Sequence, residues 1–174
     1  MAAETSSPDL FNASLLCTTP DVPSSLIVRP LTKADHTSGF LACLQNLTTV
    51  GDITEPMFAH QFDFLQAHHS AYIICLADPK KHGTPDEVVA CGTLLLEHKF
   101  IHKLGQVGHI EDIACREGQQ GKGYGKVIVL ALKALAQQLS CYKVILDCSE
   151  SNAGFYEKCG FGKKGLEMAC YFSK

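Results

Sequence analysis

The sequence predicts one α/β (α+β) domain, a mixed central sheet flanked by helices, over residues 25–174, behind a flexible tail at residues 1–24. Three observations carry this prediction. Apolar, strand-like runs follow one another at 71–77, 87–96 and 107–115. A glycine-rich loop, a long apolar helix pattern at 123–139 and another apolar run at 142–148 come next, and this order argues for a mixed sheet covered by helices. At 174 residues, 46% of them hydrophobic, the chain is long enough to bury one core of its own.

Each element has a local cause. Residues 1–24 are rich in Ser, Thr, Pro and Ala without a sustained period, the composition of an unpacked tail. Leu26 to Arg29 form a short strand stopped by Pro30. Thr32 with Asp35 three residues on is an N-cap signature, opening a helix to about Leu47. A loop follows, and Thr54-Glu55-Pro56 starts a second helix that runs to about His68. The strand at 71–77 ends in a turn-rich break over residues 78–83, and the strand at 87–96 follows. The helix at 123–139 is apolar nearly all round, which makes it central and buried. Asn152 to Lys158 read as a short helix closed by Gly160, and Leu166 to Phe172 as a last strand.

Composition excludes several classes. A net charge of −3 argues against a general nucleic-acid binder. No apolar run reaches the length of a membrane span, and the N-terminus, with Glu4 and Asp9, lacks the basic region of a signal peptide. The nine cysteines include no Cys-x-x-Cys pair, and Cys75, Cys91, Cys115 and Cys148 lie in apolar runs, where the residue acts as a small hydrophobe. Reduced thiols and a cytoplasmic location are therefore expected. No metal site is expected either, because the i, i+4 pair His98 and His102 falls in strand and turn rather than helix.

The stretch from His109 to Lys126 carries most of the chemistry. Its strand holds the adjacent acids Glu111 and Asp112, and its loop, with Gly121, Gly123 and Gly125, leads into the apolar helix. Loop amides before a helix N-terminus make a site for a phosphorylated ligand. Gly125-Lys126 is followed by Val127 with no hydroxyl for magnesium, so the loop is not a nucleoside-triphosphate P-loop, and its spacing is not G-x-G-x-x-G.

Taken with the following apolar strand and Asn152-x-x-Phe155-Tyr156, this order resembles the GNAT N-acetyltransferases. Their loop pattern, Arg/Gln-x-x-Gly-x-Gly/Ala, is set here from Gly118 to Gly123, with Gly118 departing at the first position and Arg116 or Gln119 left to supply that contact. The blocks 47–51, 97–102, 108–114, 141–152 and 155–161 are similar to the eukaryotic glucosamine-6-phosphate N-acetyltransferases, and the resemblance runs from Leu26 to the C-terminus.

The resemblance implies the GNAT acyl-CoA N-acyltransferase fold and direct attack of a sugar 2-amine on acetyl-CoA, with no enzyme nucleophile. It assigns the cofactor to Glu111, Asp112, Ile113, Gln119, Gln120, Gly121, Lys122, Gly123, Tyr124, Asn152 and Tyr156. Tyr156 is the implied acid for the leaving thiolate, and the backbone around Ile113 the implied holder of the acetyl carbonyl. Glucosamine 6-phosphate falls to Thr48, Lys99, Phe100, Ile101, His102, Glu111, Asp112, Asp147 and Tyr171. Tyr171 stands where some family members carry a phosphate-binding arginine, with Lys163, Lys164 and Lys174 nearby.

Plain strand alternation sets the side chains of Glu111 and Asp112 on opposite faces, so the two acids are expected to do different jobs. An intertwined homodimer, with the C-terminal strand helping to build the neighbour's site, is also implied by the resemblance. The alternatives are an acetyltransferase of another amine, protein or small molecule, and a non-catalytic acyl-CoA sensor. Lys99 and Lys103 favour an anionic acceptor over a basic peptide.

Overall fold

A computed structural model describes residues 9–16, 21–79 and 86–172. Residues 1–8, 17–20, 80–85 and 173–174 lie outside the described residues, and with them most of the turn expected at 78–83 and Lys174. Five strands form one sheet in the order β1 (Ile27–Pro30), β2 (Ala71–Asp78), β3 (Glu87–His98), β4 (Gln106–Cys115), β5 (Cys141–Ile145). β1 to β4 are antiparallel, and β5 joins β4 parallel after the crossover through α4 (Tyr124–Gln138). The mixed sheet expected from the run of strands is thus the observed one.

Each face of the sheet has its own core. On one, α4 lays Ile128, Leu132, Leu135 and Ala136 against Ile74, Leu94 and Ile110. The helix comes so close that a β-carbon at Gly92 would lie 2.6 Å from Ile128 Cγ2. On the other face, Phe40 and Cys43 of α1 (Phe40–Leu44) and Phe58 and Phe62 of α2 (Glu55–His68) cover Ile73, Cys75, Val88 and Cys91. α2 opens as its sequence indicates, with Thr54 Oγ1 accepting from Met57 N–H and Pro56 in the first turn.

Three sequence expectations need correction. The helix expected from Thr32 to Leu47 is two pieces, a 3₁₀ turn at Lys33–His36 and α1. Gly39 separates them at φ 100°, with Val88 O 2.9 Å from where a β-carbon would stand. The Asp35 carboxylate accepts from Thr32 N–H at 2.8 Å and from both terminal guanidinium nitrogens of Arg29, Nη1 and Nη2, at 2.8 Å, an ion pair buried to 1% exposure on the acid's side.

Residues 9–16 are packed rather than loose. Leu10 is buried, its N–H donates to Leu31 O at 2.9 Å, and Phe11 lies 5.1 Å from the Tyr72 ring. The strand expected at Leu166–Phe172 is absent, because the described residues after α5 (Glu150–Lys158) pair with no strand of this chain. Met168 and Tyr171 there are 94% and 93% exposed.

Candidate active site

The site begins where β4 and β5 part. Their pairing ends at His109↔Ile145, while β4 runs on to Cys115 against β3 alone. From Ile110 onward, one edge of β4 therefore offers backbone groups that no strand takes up.

A bulge in β4, opposite β3, interrupts this same stretch. Thr93 pairs with Glu111 and Cys91 with Ala114, so Gly92 alone faces both Asp112 and Ile113. Asp112 adopts φ 54°, a left-handed conformation that non-glycine residues rarely take. Plain alternation across Glu111 and Asp112 is thereby corrected: Ile110 before the bulge and Ile113 and Cys115 after it all pack on the α4 side. Glu111 is half-buried and Asp112 exposed.

These acids share one field. The Glu111 carboxyl is pushed above its ordinary value, first by burial, then by the charges of Asp112 and Asp147, with Glu167 adding to them and His109 opposing. A positively charged group is what such a cluster attracts.

The glycine loop closes the same end of the sheet. Gly118, Gly121 and Gly123 all have positive φ, and Gly123, at 82°, caps the 15-residue helix α4. Space before Gly121 and Gly123 is open to 4 Å. The first-turn amides of α4 have no intrahelical acceptor, since the ladder starts with Val127 N–H to Gly123 O at 3.2 Å. Open amides at the positive end of a helix fit the pyrophosphate of an acyl-CoA.

Geometry also shifts the register of the loop pattern. Arg116 is spent on an ion pair with Glu87, and the Gln119 side chain accepts from Lys122 Nζ at 2.7 Å. Neither substitutes for a first position at Gly118. Two residues later the pattern fits without departure, as Gln120-x-x-Gly123-x-Gly125, which sets its central glycine at the cap of α4.

α5 brings the phenol. Phe155 lies against the first turn of α4, its Cζ 3.5 Å from a β-carbon built on Gly125. Tyr156 is half-buried between the rings of Phe155 at 4.9 Å and Phe161 at 6.2 Å. Burial, then the charges of Cys148, Cys159 and Glu111, raises the phenol above the usual tyrosine value, so it keeps its proton. A cleft of about 430 Å³ opens beside it, lined by Val144 to Glu150, Tyr156 and the 161–167 segment, with Asp147 on its wall. Asn152 is exposed on the first turn of α5.

Other positions are held differently. Thr48 is exposed in the loop after α1, which is tied to the end of β4 by Asn46 Nδ2 donating to Cys115 O at 2.8 Å. Lys99 is paired with Glu97. Ile101 and His102 lie in the single turn α3 (Ile101–Leu104), where His102 and Lys103 are left-handed and the His102 ring stacks on Tyr142 at 4.2 Å. Phe100, which precedes it, is 94% exposed, and Tyr171 is 93% exposed. The structure therefore brings Glu111, Asp112, Ile113, Asp147, Tyr156 and the loop from Gln119 to Tyr124 to one end of the sheet, and leaves Phe100, Ile101 and Tyr171 facing outward. Asn46, Glu97 and His109 are additions, and their partners on other elements give no signal in sequence.

Comparison with known proteins agrees with this geometry. The model of the Acetyltransferase (GNAT) family matches residues 39–161. The glucosamine 6-phosphate N-acetyltransferase of Candida albicans is 42% identical, over 87% of this chain and 99% of that protein. Glucosamine 6-phosphate N-acetyltransferase 1 of Dictyostelium discoideum is 39% identical over 86% of this chain and 93% of its own. The crystal structure of glucosamine-6-phosphate N-acetyltransferase from Arabidopsis thaliana superposes with a TM-score of 0.78 at 34% identity, covering 86% of this chain and all of that one (100%). The parted β4–β5 pair, the glycine-capped helix and these relatives lead to one conclusion: the chain belongs to the GNAT acetyltransferase family.

Proposed function

We propose that this chain transfers the acetyl group of acetyl-CoA to the 2-amine of glucosamine 6-phosphate, releasing CoA and N-acetylglucosamine 6-phosphate, a step toward UDP-N-acetylglucosamine. The observation that carries the reading is the convergence of an open amide cradle, a protonated phenol and an acidic cluster on the gap between β4 and β5. Relatives sharing about two-fifths of their residues with this chain carry that name.

In this mechanism the amides from Gln119 to Tyr124 hold the pyrophosphate, with Lys122 and Lys126 adding charge. The free edge of β4 at Ile113 donates to the thioester carbonyl and stabilises its oxyanion as the amine attacks. Glu111, with Asp112 and Asp147, draws in and orients the amine. Collapse of the tetrahedral intermediate breaks the carbon–sulfur bond, and Tyr156 gives its proton to the thiolate. Lys99, His102, Thr48 and Tyr171 form the sugar-phosphate end.

A second copy of the chain completes that end in this reading. Leu166, Met168, Tyr171 and Phe172 are exposed in the C-terminal segment, as are Phe100 and Ile101, and a homodimer would cover them. Every described cysteine is a free thiol, which supports a reducing, cytoplasmic location. Among the described residues no helix is long and apolar enough to cross a membrane.

The deciding experiment measures thiol release from acetyl-CoA. Glucosamine 6-phosphate should be consumed far faster than glucosamine or a lysine peptide. Equal rates with all three would overturn the choice of substrate.

A further inference from the structure

Glu97 and His109 make a pair beside the acids that the mechanism above does not use. They sit on adjoining strands: His109 is opposite Leu95, so Glu97 is its diagonal neighbour on the same face. His109 Nε2 stands 3.0 Å from Glu97 Oε2, and the other oxygen, Oε1, takes the Lys99 ammonium. Lys99 first and His109 second hold the Glu97 carboxyl below its ordinary value, so it is ionised.

An ionised carboxylate only accepts, which puts the proton of the neutral ring on Nε2 and leaves Nδ1 as a bare acceptor. Glu111 lies two residues further along β4, on the near side of the bulge, and therefore on the same face as His109. The two communicate, because a positive charge on His109 lowers the Glu111 carboxyl. The charged groups around them are Glu97 of β3, Lys99 just after it, Asp112 of β4, Asp147 beyond β5 and Glu167 of the C-terminal segment.

We propose that His109, oriented by Glu97, receives the proton that the attacking amine gives up beside Glu111. The N–H bond of the amine breaks as an O–H bond forms on Glu111. That bond breaks in turn as Nδ1–H forms on His109, directly or through one water, which restores the carboxylate. The imidazolium, stabilised by Glu97, returns the proton to solvent, for which its side chain is 30% exposed. No electrons are exchanged and no further reactant is needed. His109 reaches the amine only through Glu111 and is in that sense a positioning residue. The inference rests on the amine-acetylation reading above.

The test compares wild-type, H109Q and H109A enzymes from pH 6 to about pH 9, the range that brackets histidine and amine titration. H109Q should lose about 10²-fold in kcat/KM for glucosamine 6-phosphate at the acid end. The loss should shrink as pH rises and free amine and hydroxide take over, with KM for acetyl-CoA unchanged. Added imidazole should restore H109A in a saturable way. A deficit constant across pH, an unchanged rate, or an H109A enzyme indifferent to imidazole would overturn the relay. Should wild-type enzyme fail to acetylate glucosamine 6-phosphate at all, the activity itself is misassigned; wild-type turnover with unaffected variants removes only His109.

Discussion

Phe155 of α5 packs against Gly125 in the first turn of α4, 3.5 Å from where a β-carbon would stand, and this contact couples the amide cradle to the phenol next to it. Tyr156 follows Phe155 directly, so the docking that seats one ring on the cradle turns the other toward the cleft. A single helix–helix contact thereby fixes the loop and the phenol relative to each other.

Tyr156→Phe keeps the ring packing and removes only the hydroxyl. It should lower kcat by about 10²-fold with the Kd for acetyl-CoA unchanged. Steady-state kinetics and calorimetric titration separate the two. Because the phenol is raised, activity should fall on the alkaline side only above the ordinary tyrosine range. A wild-type alkaline limb well below that range would assign the acid elsewhere.

Glu111 carries a cost in the folded state. Its folded-state pKa lies above the unfolded value, so its protonated form is the stabilised one: that stability is present below the unfolded pKa and is lost as pH rises through the folded pKa. At neutral pH Glu111→Gln should raise Tm while lowering kcat/KM by about 10²-fold. Thermal melts at pH 4 and pH 7.5 check the sign, since the Tm gain should shrink at the lower pH. A variant less stable than wild type at neutral pH would contradict the burial argument.

Asp35 is the opposite case, an acid with a structural task. Asp35→Ala strands the Arg29 guanidinium in a largely buried position and should destabilise by roughly 3 kcal/mol or more. Urea unfolding gives that number, and kinetics of the folded fraction should stay near wild type because Asp35 lies outside the β4–β5 gap.

The exposed C-terminal segment makes a claim about assembly. Sedimentation equilibrium at micromolar concentration should give twice the chain mass, and Met168→Asp with Phe172→Asp should shift the species toward monomer and raise KM for the sugar phosphate. A wild-type monomer that is fully active would remove the second copy from the site.

Much of the core was legible in the sequence because it rests on short-range periodicity. The apolar runs at 71–77, 87–96 and 107–115 became β2, β3 and β4, and the nearly all-apolar 123–139 became α4, since burial on a sheet face dictates such patterns. Gly39 shows where local reading fails. The Thr32–Asp35 cap signature was present, but the close approach of the Val88 carbonyl, far along the chain, broke the helix.

Residue order alone suffices for the strand–loop–helix at 109–126, the presence of Glu111, Asp112 and Tyr156, and the apolar face that seats α4. Those depend on residue type and on spacing within one element. The bulge that resets alternation after Glu111, the pairing of Glu97 with His109 and the tie from Asn46 to Cys115 emerge once the chain has folded. The reason is physical. Register between strands and contacts between distant segments are set by which backbones meet, and a single chain read in order holds no local signal of that meeting.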